Sequence, residues 1–412
     1  MQLRYSFRLY PSAGQRTALA KAFGCVRVVY NDALRARETA RGAGLPFPKT
    51  GELSKRLITE AKKTPERAWL GEVSAVVLQQ SLRDLDTAYK NFLDGLKGKR
   101  PPMGAPRYKS RKDTRQSVRF TANARWSIAP GHKLRLPKIG DVPVKWSRAL
   151  PSLPSTVTVV KDSAGRYFAS FVVETGPEEV LPKVPPELGL DLGLGHFAVL
   201  PDGTKIDSPR FLRRAEKRLK KAQRALSRKE KGSRNRDKAR VRVARAHARV
   251  ADARREFLPH GLRHGGAPIR LSTKLIRENQ AVAVEDLAVK GLARTRLAKS
   301  VHDAGWSAFA SMLEYKAARY GRTFIRIGRF EPTSQVCSQC GVRDGPKPLH
   351  VRVWTCPACG AVLDRDINAA VNVAKAAGLA VSACGAQVRP GLVPAPRGEA
   401  GTHPTPQPQT AR

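Results

Sequence analysis

Two pairs of cysteines, Cys337-Ser-Gln-Cys340 and Cys356-Pro-Ala-Cys359, stand fifteen residues apart. Each Cys-x2-Cys forms a tight knuckle that aims two thiolates at one point. Two knuckles complete a tetrahedral four-sulfur site, the arrangement that suits zinc. Four thiolates leave no open position for water, so the expected zinc is structural. Paired knuckles also point to metal ligation in a reducing cytosol rather than to a disulfide framework. Of the two remaining cysteines, Cys25 lies in an apolar helical pattern and reads as core. Cys384 has no evident role.

A second chemical signal comes from three acids at the ends of apolar runs. Asp191 follows Leu188-Gly189-Leu190, with Gly193 and Gly195 after it. Glu285 closes an AVAV run that is apolar on both faces, and Asp366 opens a run in which Ile367, Ala370, Val371 and Ala374 recur at helical spacing. A carboxylate in apolar surroundings needs a partner, because an unpaired buried charge is costly. Three converging carboxylates could hold two Mg²⁺ about 3.5–4 Å apart, a hard oxygen-ligated pair suited to phosphodiester hydrolysis. Position alone leaves other roles open: Asp191 as a turn residue, Glu285 as a strand end, Asp366 as a helix cap.

The elements that would position these groups follow from periodicity. MQLRYSFRLY predicts a strand ended by Pro11, and Ser12 with Gln15 makes a capping box for a helix bearing Leu19, Phe23, Val26 and Tyr30. A second helix is predicted over 72–96. A basic Pro/Gly-rich loop covers 97–119. Short strand-like runs then occur at 118–121, 134–136, 142–144, 157–160 and 167–173, a spacing that suggests a small β-barrel or sandwich containing the first strand. From Leu188 the pattern is strand, Gly-rich turn, strand, turn at 201–203, strand. Residues 210–255 form a predicted helical hairpin broken at Gly232-Ser233. A strand at 279–287, a helix at 303–320, a strand at 323–327 and a short helix from Asp366 complete the folded part.

The chain has 412 residues, with 76 Lys+Arg against 34 Asp+Glu and a formal net charge of +42. A protein this basic repels itself unless a polyanion neutralises it, and nucleic acid is the expected partner. The charge is concentrated: residues 210–255 hold 20 Lys+Arg and four acids. Lys109, Arg111 and Lys112 in the basic loop, and Arg213, Lys217, Lys220 and Arg224 on the hairpin, are candidates for gripping phosphates without reading sequence. Trp126 and Trp306 could stack on bases, although a Trp among apolar neighbours also serves as core. No stretch approaches the ~20 apolar residues of a membrane span. The N-terminus lacks the apolar region of a secretory signal, so a cytoplasmic, nucleoid-associated location is expected.

Several segments carry a specific resemblance: GLDLGLGHFA, ENQAVAVEDL, DAGWSAFASMLEYKAARYGR, PTSQVCSQCG and WTCPACGAVLDRDINAAVNV, with FRLYPSAGQ and LDTAYKNFL in the N-terminal half. Over about residues 3–376 the chain resembles the TnpB (OrfB) family of insertion-sequence RNA-guided endonucleases, related to type V CRISPR effectors. The resemblance implies an α/β fold: an RNase H-like (RuvC) nuclease domain with an inserted zinc ribbon, plus an N-terminal β-barrel (wedge) domain carrying an inserted helical recognition domain. The expected boundaries are 1–12 and 112–185 for the wedge, 13–111 for recognition, 186–330 and 361–378 for the nuclease, and 331–360 for the ribbon. A disordered tail is expected over 379–412.

The resemblance also implies that Asp191, Glu285 and Asp366 are the catalytic, Mg²⁺-binding triad, with Asp364 a neighbour. Preferring Asp366 over Asp364 rests on the family pattern, not on spacing. The implied partners are a guide RNA from the element end and target double-stranded DNA. Base pairing reads the target, and the protein reads a short adjacent motif. Gln79, Thr121 and Asn123 match the positions suggested for that reading. One departure from the family stands out: PHGLRHGGAPIR at 259–270 replaces a much shorter connection, and its Pro and Gly residues should end the helix there. Two other functions compete: a transposase or recombinase acting directly on element DNA, and a catalytically inactive nucleic-acid-binding regulator. The His-x-His pair that a single-strand HUH transposase requires is absent from the eight histidines.

Overall fold

The computed structural model describes residues 2–379 except 175, 177–179, 209, 261, 265–266, 270 and 349, and side chains outside 256–270. The chain packs as two compact units, one made of Met1–Glu178 with Ala225–Arg245, the other of the remaining residues.

In the first unit, β1 (Gln2–Leu9) alternates, with Tyr5, Phe7 and Leu9 buried. The capping box forms as predicted: the Ser12 amide donates to Gln15 Oε1 at 2.9 Å, and the Gln15 amide donates to Ser12 Oγ at 3.3 Å. It opens α1 (Ala13–Gly42), whose Leu19, Phe23, Val26 and Tyr30 face the core, together with Cys25. Then come α2 (Thr50–Ser54) and α3 (Ala75–Leu96), which packs on α1. The chain returns through β2 (Gln116–Thr121), β3 (Ser127–Ala129), β4 (Lys133–Leu136), β5 (Gly140–Lys145), β6 (Thr156–Lys161) and β7 (Tyr167–Glu174). These strands make one seven-stranded sheet in the order β2-β6-β7-β1-β5-β4-β3. Among the described residues no rung joins β2 to β3, so the hydrogen bonding leaves the sheet open where the strand spacing suggested a barrel or sandwich. β1 pairs with β7 along its whole length, so the helices lie between two partners of one sheet in sequence.

The second unit is built on three parallel strands, β8 (Glu187–Leu190), β13 (Ala281–Glu285) and β14 (Thr323–Ile327), ordered β14-β13-β8. Between β8 and β13 in sequence come β9 (His196–Val199) and β10 (Lys205–Asp207), which pair antiparallel. The long helices α4 (Phe211–Ser227) and α5 (Arg234–His260) follow, their Ala225–Arg245 stretch counted with the first unit. The Arg236 guanidinium donates to the carbonyls of Leu226 and Lys229 at 3.3 and 2.6 Å, closing the end of α4 at the Gly232 turn. The predicted break near Pro259 comes at His260, after which β11 (Leu262–His264) and β12 (Ala267–Ile269) form an antiparallel pair before α6 (Leu271–Glu278).

After β13 come α7 (Val289–Leu292), α8 (Ala298–Ala304) and α9 (Trp306–Tyr320). The single helix expected at 303–320 is interrupted by Gly305 at φ +71°, a left-handed conformation that glycine tolerates. β15 (Val353–Thr355) and β16 (Val362–Asp364) form a small antiparallel pair, and α10 (Arg365–Ala376) lies on β8 and β13. β13 is apolar on both faces because both are covered. Val282 and Val284 join the core with Phe309 and Leu313, while Ala283 packs with Val373 and Ile327. No helix among the described residues is long and apolar enough to cross a membrane. Cys384 and the expected tail beyond 379 lie outside the described residues.

Candidate active site and metal centre

Leu190 on β8 and Val284 on β13 are partners in parallel register. The next residue on each strand is an acid, Asp191 and Glu285. Side chains alternate along a strand, so Asp191 shares a face with Gly189, and Glu285 shares one with Ala283. Gly189 and Ala283 are themselves register partners, and both are small. A Cβ on Gly189 would lie 2.3 Å from the Ala370 carbonyl oxygen and 2.5 Å from the Ala374 amide nitrogen. The bare glycine therefore lets α10 rest directly on β8. Asp366 lies one turn before Ala370, in the first turn of α10, close enough for its charge to act on Asp191. All three are only partly exposed.

The electrostatics record this convergence. Asp191 is pushed from its ordinary 3.8 up to about 7 by burial, then by the charges of Glu285 and Asp366, with Arg365 and Arg352 opposing. Glu285 is also raised by burial, against the hydrogen bond that the Thr333 hydroxyl donates to it. The Asp191 main chain is fixed by reciprocal hydrogen bonds with Val199 at 3.1 and 2.9 Å, which tie β9 to the end of β8. Arg352 Nη1 donates to Asp366 Oδ1 at 3.2 Å.

The two aspartates around Arg365 have different jobs. Asp364 Oδ1 accepts from the amides of Asp366 and Ile367 at 3.0 and 3.1 Å, making it the N-cap of α10. Its other oxygen takes the Lys205 ammonium at 2.6 Å. Burial works against its charge, but Lys205 and the two amides prevail and hold the carboxyl below its usual range. Asp366 is therefore the acid of this pair that acts on Asp191. The donor set is oxygen only and partly open, which suits Mg²⁺. Among the described residues only the four thiolates gather three or more ligand atoms within 4.8 Å of one another. Ligands divided between two ions ~3.5–4 Å apart need not be so close.

Cys337, Cys340, Cys356 and Cys359 form that cluster. Sγ–Sγ separations are 3.7 Å for Cys337–Cys359 and for Cys340–Cys356. A tetrahedron with ~2.3 Å zinc–sulfur bonds has edges of roughly 3.8 Å, so the thiolates fit zinc. The two knuckles are built alike. Gly341 and Gly360, at φ +78° and +71°, turn the chain so that their amides reach the carbonyls of Cys337 and Cys356, each at 2.9 Å.

Three helix residues in no candidate set tie this ribbon to α10. Asn368 and Asn372 each donate to the carbonyls of Thr333 and Val336, Asn368 Oδ1 accepts from the Ser338 amide, and Lys375 reaches the Ser338 carbonyl. The N-x3-N spacing, which puts both amides on one helix face, is the signal that could have found the asparagines.

The nucleic-acid candidates are scattered. Gln79 is exposed on α3, and Thr121 and Asn123 hydrogen-bond each other at the end of β2, the strand on which α3 packs. Arg111 and Lys112 are exposed. Lys109 has a different setting: its ammonium sits 3.8 Å above the Tyr30 ring, and its main chain makes two hydrogen bonds to Asn31. These contacts clasp the loop to α1. Lys220 pairs with Glu216 at 2.9 Å, and Arg213 bonds Ser300 at 2.9 Å. Lys217 and Arg224 lie on the exposed side of α4. The buried Asp303 accepts from the Leu212 and Arg213 amides at 2.7 and 3.3 Å, anchoring the start of α4. Trp306 is 4% exposed and belongs to the core, whereas Trp126 is half-buried against Phe171.

Family models match three stretches. The OrfB model of IS605, described as a probable transposase, covers residues 170–296, and a helix-turn-helix model of the same OrfB group covers 1–45, which here is β1 and α1. A Cas12f1-like TNB domain covers 306–373. A protein of Streptomyces pristinaespiralis is 45% identical over 99% of this chain and 97% of its own length. InsQ of Escherichia coli K12 is 30% identical over 94% of this chain and 95% of its own. This chain belongs to the IS605 OrfB (TnpB) family. Both OrfB relatives are provisionally named RNA-guided DNA endonucleases. The chain's fold is also similar to that of Cas12f1, solved by cryo-EM in complex with sgRNA and target DNA. That match has a TM-score of 0.51 and 14% identity, covering 90% of this chain and 98% of Cas12f1.

Proposed function

We propose that this OrfB protein is an RNA-guided DNA endonuclease of a transposable element, acting in the prokaryotic cytoplasm on double-stranded target DNA. What supports the reading is that Asp191 and Glu285 follow register partners at the ends of β8 and β13, and that the charges of Glu285 and of Asp366, at the start of α10, both raise the Asp191 carboxyl. Strand order supports an RNase H-like (RuvC) nuclease domain over 186–330 and 361–378. The β9–β10 pair is antiparallel and tied at Asp191 to β8, which continues into parallel β13 and β14. The ribbon over 331–360 holds structural zinc. The wedge is assigned to 1–12 and 112–185, and recognition to 13–111.

Two Mg²⁺ bound by the triad would activate the attacking water and stabilise the leaving 3′ oxygen. The chain's own part is to hold the three carboxylates. The Val199 bridge fixes Asp191, Thr333 orients Glu285, and the Asp364 cap with Gly189 seats Asp366. Asp191 carries a proton below about pH 7 and must release it before its carboxylate can serve as a ligand. Arg111, Lys112 and the exposed cations of α4 are assigned to RNA and DNA phosphates, and Gln79, Thr121 and Asn123 to the motif beside the target. Names of relatives support the guide RNA and the DNA substrate.

The test is to purify the protein with and without co-expressed element-end RNA and assay plasmid cleavage in Mg²⁺. RNA-dependent cleavage lost in Asp191→Ala supports the proposal. Cleavage of element ends without RNA points to a direct transposase. Binding without cleavage, unchanged by Asp191→Ala, points to an inactive regulator.

A further inference from the structure

Two of the three acids are attached to the zinc ribbon through side chains that bind no metal. Thr333 is 7% exposed, and its hydroxyl donates to Glu285 Oε1. Its carbonyl accepts from Asn372 at 2.8 Å and from Asn368 at 3.2 Å. The same two amides hold the Val336 carbonyl at 2.7 and 2.8 Å, and Asn368 Oδ1 accepts the Ser338 amide at 2.7 Å. Val336 and Ser338 flank Cys337, a ligand of the ribbon. Asn368 and Asn372 are 1% and 7% exposed, and they ride on the helix whose first turn carries Asp366.

This is a buried, mutually satisfied network, and such networks fix one geometry because an unmade bond inside them is costly. One end grips the first knuckle. The other end orients Glu285, while the network's own helix carries Asp366.

We infer that Thr333 is a positioning residue for the nuclease metal site, and that Asn368 and Asn372 lock it to the first zinc knuckle. The ribbon thereby sets the placement of Glu285 relative to Asp366, in addition to whatever it binds. The inference rests on the proposed role of the triad. Free rotation of the Glu285 carboxyl, once the hydroxyl is lost, weakens divalent-ion binding without disturbing the fold. The Asn amides still reach main-chain carbonyls that the substitution leaves in place.

The experiment compares wild type, Thr333→Val and Thr333→Ser as full-length protein. Three quantities are read: bound zinc by atomic absorption, the melting-temperature shift produced by Mg²⁺ alone, and the Mg²⁺ concentration for half-maximal cleavage. Removing a partner that orients a ligand typically costs about 10–100-fold in metal affinity or activity. Thr333→Val should therefore keep its zinc and stay folded but need at least about tenfold more Mg²⁺. Thr333→Ser, which keeps the hydroxyl, should restore the wild-type response. A Thr333→Val protein with the wild-type Mg²⁺ response overturns the inference. So does a serine variant as impaired as the valine one. If wild type itself shows no Mg²⁺ shift that Asp191→Ala removes, the nuclease reading fails instead, and the two failures are told apart.

Discussion

Replacing Asp191 with Asn should make the metal-free protein more stable at alkaline pH while abolishing cleavage. Asp191 titrates near 7 in the folded chain and near its ordinary 3.8 when unfolded. Between those values the folded protein holds a proton that the unfolded chain has released, so stability falls as pH rises through this window. At ~1.4 kcal/mol per pH unit the full loss above pH 7 is about 4 kcal/mol, an upper value for a side chain that keeps some solvent contact. From pH 5 to pH 8 the loss is about 3 kcal/mol. For a unit of roughly 200 residues that corresponds to about 5–10 °C in melting temperature. Asn has no proton to lose, so in EDTA the Asp191→Asn protein should lack this decline. The difference between the two pH profiles isolates the group, because every other titration is common to both. Adding Mg²⁺ at pH 8 should restore the wild type and leave the variant unmoved. Calorimetry over pH 5–8 measures both effects. Parallel profiles for the two proteins would refute the argument that burial and neighbouring acids raise this carboxyl.

Other outcomes follow from the same geometry. Gly189→Ala puts a carbon 2.3 Å from the Ala370 carbonyl oxygen, so it should push α10 off β8, cost at least about 1–3 kcal/mol in denaturant melts and strongly reduce cleavage. Asp364→Ala should lose an N-cap, about 1 kcal/mol, and retain measurable cleavage, whereas Asp366→Ala should retain stability and lose cleavage. Cys356→Ser should release zinc and lower thermal stability, checked by metal analysis and melting, because structural zinc contributes folding free energy. RNA binding should weaken linearly in log–log salt titrations, with a slope that shallows when Arg111 and Lys112 are removed.

What the sequence discloses depends on how local the constraint is. Cysteine knuckles are legible because four ligands lie in two short, self-sufficient turns. The strands ending at Asp191 and Glu285 are legible because their apolar runs stop at an acid. Gly189 was not, since its need for bareness exists only once α10 is known to lie on it. The family pattern preferred Asp366 over Asp364, but the physical difference needs the helix start, where Asp364 is the N-cap and Asp366 is the acid whose charge acts on Asp191. Gly305 interrupts a pattern that periodicity alone reads as continuous. Lys109 belongs to a basic loop in sequence, and its contacts with Tyr30 and Asn31, far back in the chain, could not be read from that loop. Trp306 fills the core for the ordinary reason that large rings bury well.

The central claim is that three distant acids make one divalent-metal nuclease site directed by RNA. Its most direct test is to sequence the RNA that co-purifies with the protein, rewrite its guide portion, and assay cleavage of a matched plasmid in Mg²⁺. Cleavage that moves with the guide and disappears in Glu285→Ala, with RNA still bound, is the predicted result. RNA-bound protein that leaves every matched plasmid intact, or a Glu285→Ala variant that cuts like wild type, would contradict it.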